Sequence, residues 1–280
     1  MKNLIVIGGG AAGFFCAVNV ARLNPHVKVS ILEKSNKLLS KVKISGGGRC
    51  NTTHQLFEIP ALVKKYPRGE QFLKKAFYQF NTQDTIEWFA ERGVELHAES
   101  DGRMFPISNN SSTIIECLLK EADQYHVNIE MQTEVKKITK LETQFQIETN
   151  KLGVIQADYI CIACGGLPKL DMFNWISKMG HPIQSPVPSL FTFNMPKHPI
   201  TALMGLSVNN AVIKISGTKL KEQGALLITH WGLSGPVVLK LSAWGARQLA
   251  DMNYQFSIQV NWLGETTDAM LRLDWTFYRE

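Results

Sequence analysis

The residues that decide the fold stand near the start of the chain: Leu4-Ile5-Val6-Ile7-Gly8-Gly9-Gly10-Ala11-Ala12-Gly13. Residues 4–7 are an apolar run rich in β-branched side chains, which predicts a strand that is buried on both faces. Ala11–Leu23 has the pattern of a helix, and residues 27–32 have that of a second strand. Together these segments predict one βαβ unit with a right-handed crossover and a glycine-rich first turn.

The glycines of this turn match the pattern G-x-G-x-x-G. Gly8 permits a tight turn, Gly10 lets the backbone approach a pyrophosphate, and Gly13 lets the helix pack closely against the strand. The pyrophosphate would lie at the N-terminus of the helix, where free N–H groups and the helix dipole favour negative charge. Glu33 follows about 20 residues later, where an acidic side chain binds the adenosine ribose and disfavours a 2′-phosphate. The sequence therefore predicts a site for the ADP half of a dinucleotide other than NADP.

A second glycine-rich loop favours FAD as that dinucleotide. Residues 45–51 read Ser-Gly-Gly-Gly-Arg-Cys-Asn. An extended FAD continues beyond the pyrophosphate and needs a loop along its path, whereas a simple NAD dehydrogenase does not. Arg49 could offset phosphate charge or polarise the flavin ring, and a Cys50 thiolate stabilised by Arg49 could be reactive. The alternatives are a flexible loop without a ligand and a Cys50 side chain that only packs beside it.

Length and composition limit the class of protein. The 280 residues allow one large domain or two ordinary ones, and the chain is 45% hydrophobic and 19% charged, as in soluble globular proteins. No apolar run approaches the roughly 18–20 residues that span a bilayer, and without a convincing secretory signal we expect a cytoplasmic protein. The cysteines form an odd, scattered set that fits reduced thiols. They are Cys16, Cys50, Cys117, Cys161 and Cys164.

Basic residues outnumber acidic ones, with a net charge of +6. They cluster loosely at Lys34, Lys37, Lys41, Lys43 and Arg49, and again at Lys64, Lys65, Arg68, Lys74 and Lys75. A solvated face together with a site for an anionic cofactor is the preferred interpretation. A nucleic-acid surface is the alternative.

The rest of the chain predicts two domains. Helices are expected at residues 71–80, 82–92 (with Asn81 as its N-cap) and 111–125, and strands at 127–130, 134–139, 144–149, 154–157 and 159–163. The proline-rich residues 185–188 indicate a boundary. We therefore expect an FAD-binding domain over residues 1–188 and a β-rich, substrate-side domain over 189–280, with strands at 191–194, 208–215, 219–227 and 254–260.

Several motifs resemble one known family. Residues 7–13, 32–34, 37–38 and above all 44–51 are similar to the BaiN-type, HI0933-like family of NAD(P)/FAD-dependent oxidoreductases, as are residues 102–106, 165–166 and 229–236. The resemblance implies an α/β fold: a doubly wound, Rossmann-like FAD-binding domain of the GR2 type with a smaller β-rich domain. Two departures are an altered turn after Cys164 and the lack of the family's closing segment, which we expect to weaken FAD binding or activity.

The resemblance also implies site residues. Val135 would meet the adenine through its backbone, and Ala163 with Gly165 would lie near the pyrophosphate. The full set expected to bind FAD is Gly8, Gly10, Ala11, Ala12, Gly13, Glu33, Lys34, Gly47, Arg49, Cys50, Asn51, Val135, Ala163 and Gly165. His230 would face the substrate and could exchange a proton with it, a structural histidine being the alternative.

Two other kinds of site are disfavoured. Cys161 and Cys164 spell C-x-x-C, but on a strand residues three apart point to opposite faces, which favours buried thiols over a redox pair. No second pair of ligands stands at a spacing suited to zinc, so no metal is expected.

The predicted function is that of an FAD-dependent oxidoreductase acting on a small organic substrate. The reaction would be amine oxidation or alkene reduction, with NAD(P)H as a candidate electron donor. Two alternatives stay open: a flavoprotein acting on tRNA, and a truncated remnant without catalytic activity.

Overall fold

The computed structural model describes residues 1–166, 170–267 and 269–272. The chain divides into two compact units, Met1–Gln184 and Ser185–Glu280. Within the described residues, no helix combines the length and the hydropathy needed to cross a membrane. The roles assigned to the predicted domains stay predictions.

The first unit contains seven α-helices and ten strands in its described part. In chain order they are β1 (Lys2–Ile7), α1 (Ala11–Leu23), β2 (Val27–Glu33), α2 (Ser40–Ile44), β3 (Thr53–His54), α3 (Ile59–Val63), α4 (Glu70–Phe77), α5 (Thr82–Ala90), β4 (Leu96–Ala98), β5 (Arg103–Pro106), α6 (Ser111–Gln124), β6 (Asn128–Met131), β7 (Val135–Lys140), β8 (Phe145–Thr149), β9 (Val154–Ala157), β10 (Tyr159–Ile162) and α7 (Asn174–Ser177).

A parallel sheet with the strand order β10-β1-β2-β6 organises this unit. Val6 and Ile31 point to the face that α1 and α6 cover, whereas Ile5, Ile7 and Leu32 point to the opposite face. This double burial explains the continuous apolar pattern of β1 and confirms the predicted Rossmann-like sheet. The strand order reverses between β1 and β10, and open α/β sheets bind ligands at such switch points.

The second face of the sheet is covered by an antiparallel meander of β7, β8 and β9. Ile138, Ile147 and Ala157 of the meander pack against the apolar side chains of β1 and β2. The strands predicted at residues 134–139, 144–149 and 154–157 are confirmed. A doubly wound fold usually has helices on both faces, and here strands cover much of one face.

Helices α5 and α6 begin at side-chain caps. Asn81 accepts a hydrogen bond from the N–H of Gln83, and Asp84 accepts one from the N–H of Asn81, so that both halves of a capping box are present. Asn110 caps α6 with its side chain alone, which accepts a hydrogen bond from the N–H of Ser112. The predicted cap at Asn81 is thus confirmed.

The second unit is built on a five-stranded antiparallel sheet with the order β11-β14-β13-β12-β15. Its elements are β11 (Phe193–Asn194), β12 (Ser207–Ile215), β13 (Lys221–Thr229), β14 (Gly232–Ser234), α8 (Pro236–Trp244), α9 (Ala246–Asp251) and β15 (Ile258–Asn261). The two helices were not predicted. Pro236 at the first helical position, followed by buried Val237, Val238 and Leu241 at helical spacing, is the signal that the prediction of mostly strands overlooked.

We expect Asn81→Ala to lower the free energy of unfolding by about 1 kcal/mol, because the N–H of Gln83 loses its acceptor. Asn81→Ser restores an acceptor and should recover most of the loss. Urea unfolding followed by circular dichroism measures both, with Gln79→Ala on the exposed residue before the cap as control. Equal stabilities of the alanine and serine variants would contradict the role of the cap.

Candidate dinucleotide site

The first turn lies at the carboxyl end of β1, and its three motif glycines have different surroundings. A Cβ at Gly8 would lie 2.5 Å from the carbonyl oxygen of Ala163, and one at Gly13 would lie 1.9 Å from the carbonyl oxygen of Gly8. Side chains are therefore excluded at both positions. Around Gly10, in contrast, no atom lies within 4 Å of where its Cβ would be. The second glycine thus faces open space, as the approach of a ligand requires.

The N-terminus of α1 is open to an anion. Gly10 is the N-cap residue and has no side chain to accept a hydrogen bond, and the first turn carries no acidic residue. Ala11 and Ala12 are exposed. The first-turn N–H groups and the helix dipole therefore remain available to a diphosphate.

Glu33 lies directly against this turn. The N–H of Gly9 donates to its Oε2 atom at 2.8 Å, and the N–H of Ser35 donates to its Oε1 atom at 2.8 Å. The side chain is half-buried, so that part of it still meets solvent, and Lys34 beside it is exposed. A carboxylate held in this way can also accept from ribose hydroxyl groups, because each oxygen has more than one lone pair.

Three segments far apart in the sequence surround the same edge of the sheet. The N–H of Thr133 donates to the carbonyl oxygen of Glu33, the last residue of β2, at 2.8 Å. Val135 follows Thr133 by two residues. The N–H of Ala163 donates to the carbonyl oxygen of Ile7 at 2.8 Å. Val135 and Ala163 are thus brought to the edge where the glycine turn and Glu33 stand.

One cation at this edge is missing from the predicted set. The Nζ atom of Lys41 lies 3.5 Å from the position of a Cβ at Gly165. Lys41 belongs to the short helix α2, and the N–H of Leu39 just before it donates to the carbonyl oxygen of Gly9 at 2.9 Å. The basic cluster that contains Lys41 was visible in the sequence, but nothing there distinguished this lysine from its neighbours.

The second glycine loop follows α2 without a break. Gly46, Gly47 and Gly48 have φ angles of +56°, +69° and +88°, which L-residues with side chains rarely adopt. A Cβ at Gly46 would lie 2.7 Å from the ring of Phe105, whereas the surroundings of Gly47 are open to 4 Å. Asn51 is exposed at the end of the loop. The loop therefore rests on Phe105 and presents its open side at Gly47.

Arg49 and Cys50 make protein contacts within this loop. The Arg49 guanidinium stacks on the ring of Phe105, 4.0 Å from its centroid, and pairs with Glu99 at 2.5 Å. Cys50 is only 6% exposed, and the Thr52 hydroxyl donates to the Cys50 carbonyl oxygen at 3.1 Å and lies 3.8 Å from its Sγ atom. These contacts fit structural roles for both residues. Their contacts with a cofactor stay predictions.

His230 lies in the second unit, in the turn that joins β13 to β14. It is exposed, and its ring meets that of Trp231 edge-on at 4.3 Å. The Thr229 hydroxyl donates to the carbonyl oxygen of Gly232 at 3.0 Å and closes the turn. An exposed imidazole of this kind is accessible to a substrate, but its role in catalysis stays a prediction.

The five cysteines are free thiols. A hydrogen bond links the Cys161 thiol to that of Cys16 on α1. Burial raises the pKa of the Cys16 thiol to about 12, and the hydrogen bond with Cys161 contributes to the shift. Burial likewise raises the pKa of Cys117 to about 11, with a further contribution from the negative charge of Glu121.

Among the described residues, no group of three or more His, Cys, Asp or Glu side chains is placed to hold a metal ion.

The comparison with known families identifies the chain at this point. Its residues 2–245 match the model of the HI0933-like protein Rossmann domain. The chain belongs to the HI0933-like family. This membership confirms the resemblance inferred from the sequence motifs, and it agrees with the parallel sheet and the glycine turn described above.

Three curated relatives match most of this chain but only part of their own length. Ribosomal RNA dihydrouridine synthase of Haemophilus influenzae is 31% identical over 85% of this chain and 60% of its own length. The enzyme of the same name from Escherichia coli is 29% identical over 90% and 63%. The 3-dehydro-bile acid delta(4,6)-reductase of Clostridium scindens is 26% identical over 97% and 67%. The chain therefore spans about two thirds of the length of these relatives, and one of them is a reductase by name.

We expect Gly13→Ala to lower the free energy of unfolding by about 3 kcal/mol or more, because its Cβ would overlap the backbone oxygen of Gly8. Gly10→Ala is the matched control within the same motif. It should change stability by less than about 1 kcal/mol, since the added methyl group meets open space. Urea unfolding measures both variants. A Gly13→Ala variant as stable as the unmodified chain would contradict the close packing of α1 on β1.

We also expect the Cys16 thiol to resist alkylation in the folded chain. With its pKa raised to about 12, almost none of it is thiolate at pH 8, and burial restricts access as well. Mass spectrometry after iodoacetamide treatment at pH 8, with and without urea, measures the difference for the same cysteine. Equal labelling under both conditions would show that Cys16 is neither buried nor shifted.

Proposed function

We propose that this chain carries the FAD-binding site of an FAD-dependent oxidoreductase. The observation that supports this most directly is the hydrogen bond between the N–H of Gly9 and the Glu33 carboxylate, beside an uncapped helix N-terminus. A diphosphate site and a ribose acceptor are thereby adjacent. Bound FAD would supply two-electron redox chemistry, while the protein positions it and tunes its surroundings.

The residues at this edge can be given roles toward FAD. The N–H groups of Ala11, Ala12 and Gly13 would bind the diphosphate, with Gly10 leaving room for it. Lys41 adds a positive charge on the side of Gly165. These residues fit the group because each either offers a donor or leaves the space that a diphosphate needs.

The other residues would bind successive parts of FAD, from the adenosine to the flavin. Glu33 would bind the adenosine ribose, with Lys34 and Val135 beside the adenine, and Ala163 on the far side of the turn. The second glycine loop would extend the site toward the flavin, through Gly47 and Asn51. Arg49 and Cys50 would support that loop from behind, through Phe105 and Thr52.

The names of the relatives favour alkene reduction over amine oxidation, the other reaction that the sequence allowed. A delta(4,6)-reductase of a 3-dehydro-bile acid and a dihydrouridine synthase both saturate a carbon–carbon double bond. In each substrate that double bond is conjugated with a carbonyl group. We therefore propose reduction of a carbonyl-conjugated alkene, with NAD(P)H as electron donor, in preference to amine oxidation. His230 is the candidate proton donor or acceptor of the second unit.

A second candidate substrate is a base in RNA. Two of the three relatives are named for ribosomal RNA, so that ribosomal RNA is a better candidate substrate than tRNA. The net charge of +6 and the exposed lysines of residues 64–75 are compatible with such a substrate. A small carbonyl-conjugated alkene stays the other substrate class.

We expect the purified chain to bind added FAD and to show the yellow colour of oxidised flavin. Glu33→Gln should weaken FAD binding about tenfold, because an amide lacks the charge and the second acceptor oxygen of the carboxylate. Gly10→Ala should weaken it at least as much while unfolding normally. Titration calorimetry with FAD measures the affinities.

Glu116→Gln is the matched control for this test, since it makes the same chemical change on the exposed face of α6. Anaerobic addition of NADH or NADPH, followed by an α,β-unsaturated ketone or uridine, then tests the reaction through bleaching and return of the flavin colour. Failure of the folded chain to bind FAD, or equal affinities of the Glu33→Gln variant and the unmodified chain, would overturn the proposed site.

A further inference from the structure

Residues 57–80, here called the α3–α4 surface, carry an unusual number of exposed aromatic rings. Helix α4 has no buried residue. Phe72 is 81% exposed and Tyr78 is 66% exposed, and three further rings of the segment are more than one third exposed. These three are Phe57, Tyr66 and Phe80. Exposed apolar groups at this density on one segment mark a contact surface.

The same surface is strongly basic. Against the two acidic residues Glu58 and Glu70, residues 57–80 carry five cations. They are Lys64, Lys65, Arg68, Lys74 and Lys75. The four lysines are exposed and form no ion pair within the part of the chain that the structure describes. Their charges are therefore available to an anionic partner.

Helix α4 places rings and cations on its outer side together. Leu73 and Phe77 are its less exposed apolar positions, and the Phe77 ring lies 5.6 Å from that of Tyr66, which follows α3. Phe72 and Lys75 are three residues apart, and Lys74 and Tyr78 are four apart, so that each exposed ring has an ammonium group one turn away. Alternation of stacking rings with cations suits single-stranded nucleic acid, whose bases and phosphates alternate in the same way.

A cavity of about 360 Å³ opens beside this surface. It lies between the end of the second glycine loop, β3, α3, α4 and the start of α5, and its walls combine rings with polar side chains. They include Asn51, His54, Tyr66, Phe77, Phe80 and Thr85. The volume lies within the range of about 300–1,000 Å³ typical of small-molecule sites. A planar heterocycle could therefore stack on a ring there and form hydrogen bonds along its edge.

The cavity shares a lining residue with the loop that we expect to bind the flavin. Asn51 belongs to both, as the last residue of the second glycine loop. The ring of Phe80 packs on that of Phe15 at 5.2 Å, and Phe15 belongs to α1, which begins at the first glycine turn. A ligand in this cavity would thus lie next to residues that we expect to hold FAD.

We propose that the α3–α4 surface binds single-stranded RNA, with its lysines on the phosphates, its outer rings stacked on bases, and one base in the cavity beside Asn51. An anionic membrane would use the outer rings and lysines but would leave the polar cavity walls without partners. The reaction at the bound base rests on the second candidate of the proposed function, whereas the binding itself does not.

Fluorescence anisotropy of a labelled single-stranded RNA of about 12 nucleotides, over a series of salt concentrations, tests this surface in the full chain. Lys74→Gln with Lys75→Gln should raise Kd about tenfold and should reduce the slope of log Kd against log salt by about 1.4, as expected for two lost phosphate contacts. Phe72→Leu should raise Kd about tenfold through lost stacking, and Phe72→Trp should bind like the unmodified chain.

The control for charge is Lys28→Gln with Lys140→Gln, because these lysines of β2 and β7 are exposed and, like Lys74 and Lys75, form no ion pair among the described residues, and their replacement removes the same charge. It should leave Kd within a factor of two. An equal loss in both lysine pairs, an unchanged Kd for Phe72→Leu, or binding to phosphatidylserine vesicles without binding to RNA would each overturn the proposal.

The FAD content of every variant, read from its visible spectrum, separates this proposal from the proposed function. A chain that binds FAD while none of the surface variants affects RNA binding would refute the RNA surface alone. A chain that shows the expected losses of RNA affinity but does not bind FAD would refute the cofactor site alone.

Discussion

The first unit depends on the close approach of α1 to the end of β1. That approach exists because residue 13 has no side chain: a Cβ there would lie 1.9 Å from the carbonyl oxygen of Gly8. Once the helix begins this close to the strand, its N-terminus points across the carboxyl edge of the sheet. The same edge receives the end of β2, where Glu33 bonds to Gly9, and the end of β10, where Ala163 meets Gly8.

The parts of the site that sequence reasoning predicted are those set by local chemistry. The strand pattern of residues 4–7, the glycine spacing and the acid at position 33 all act within one βαβ unit, so that their geometry follows from a short stretch of chain. Lys41 was missed because its approach to Gly165 joins segments more than a hundred residues apart. Helices α8 and α9 were missed because the second domain was expected to be mostly strands and the helical spacing of the apolar residues in 236–251 was not counted.

The second glycine loop and residues 102–106 are separate in the sequence but pack together in the structure. Phe105, within the segment Gly-Arg-Met-Phe-Pro, supports both the Gly46 backbone and the Arg49 guanidinium. Gly102 in the same segment leaves room for His54, whose ring would lie 2.4 Å from a Cβ there. The short sheet β3-β5-β4 holds these partners in register. The second glycine loop therefore owes its shape to residues about fifty positions later, which no local pattern could reveal.

The first unit contains one region that tolerates few amino-acid substitutions and another that tolerates many. At Gly8 and Gly13, neighbouring backbone atoms leave no room for a Cβ, so that neither residue can be replaced without displacing α1. Helix α4, in contrast, has no fully buried residue, so that its exposed side chains can change with little effect on stability. The relatives act, by name, on a bile acid and on ribosomal RNA. Such different substrates are compatible with one cofactor edge if recognition resides in segments that the core does not constrain.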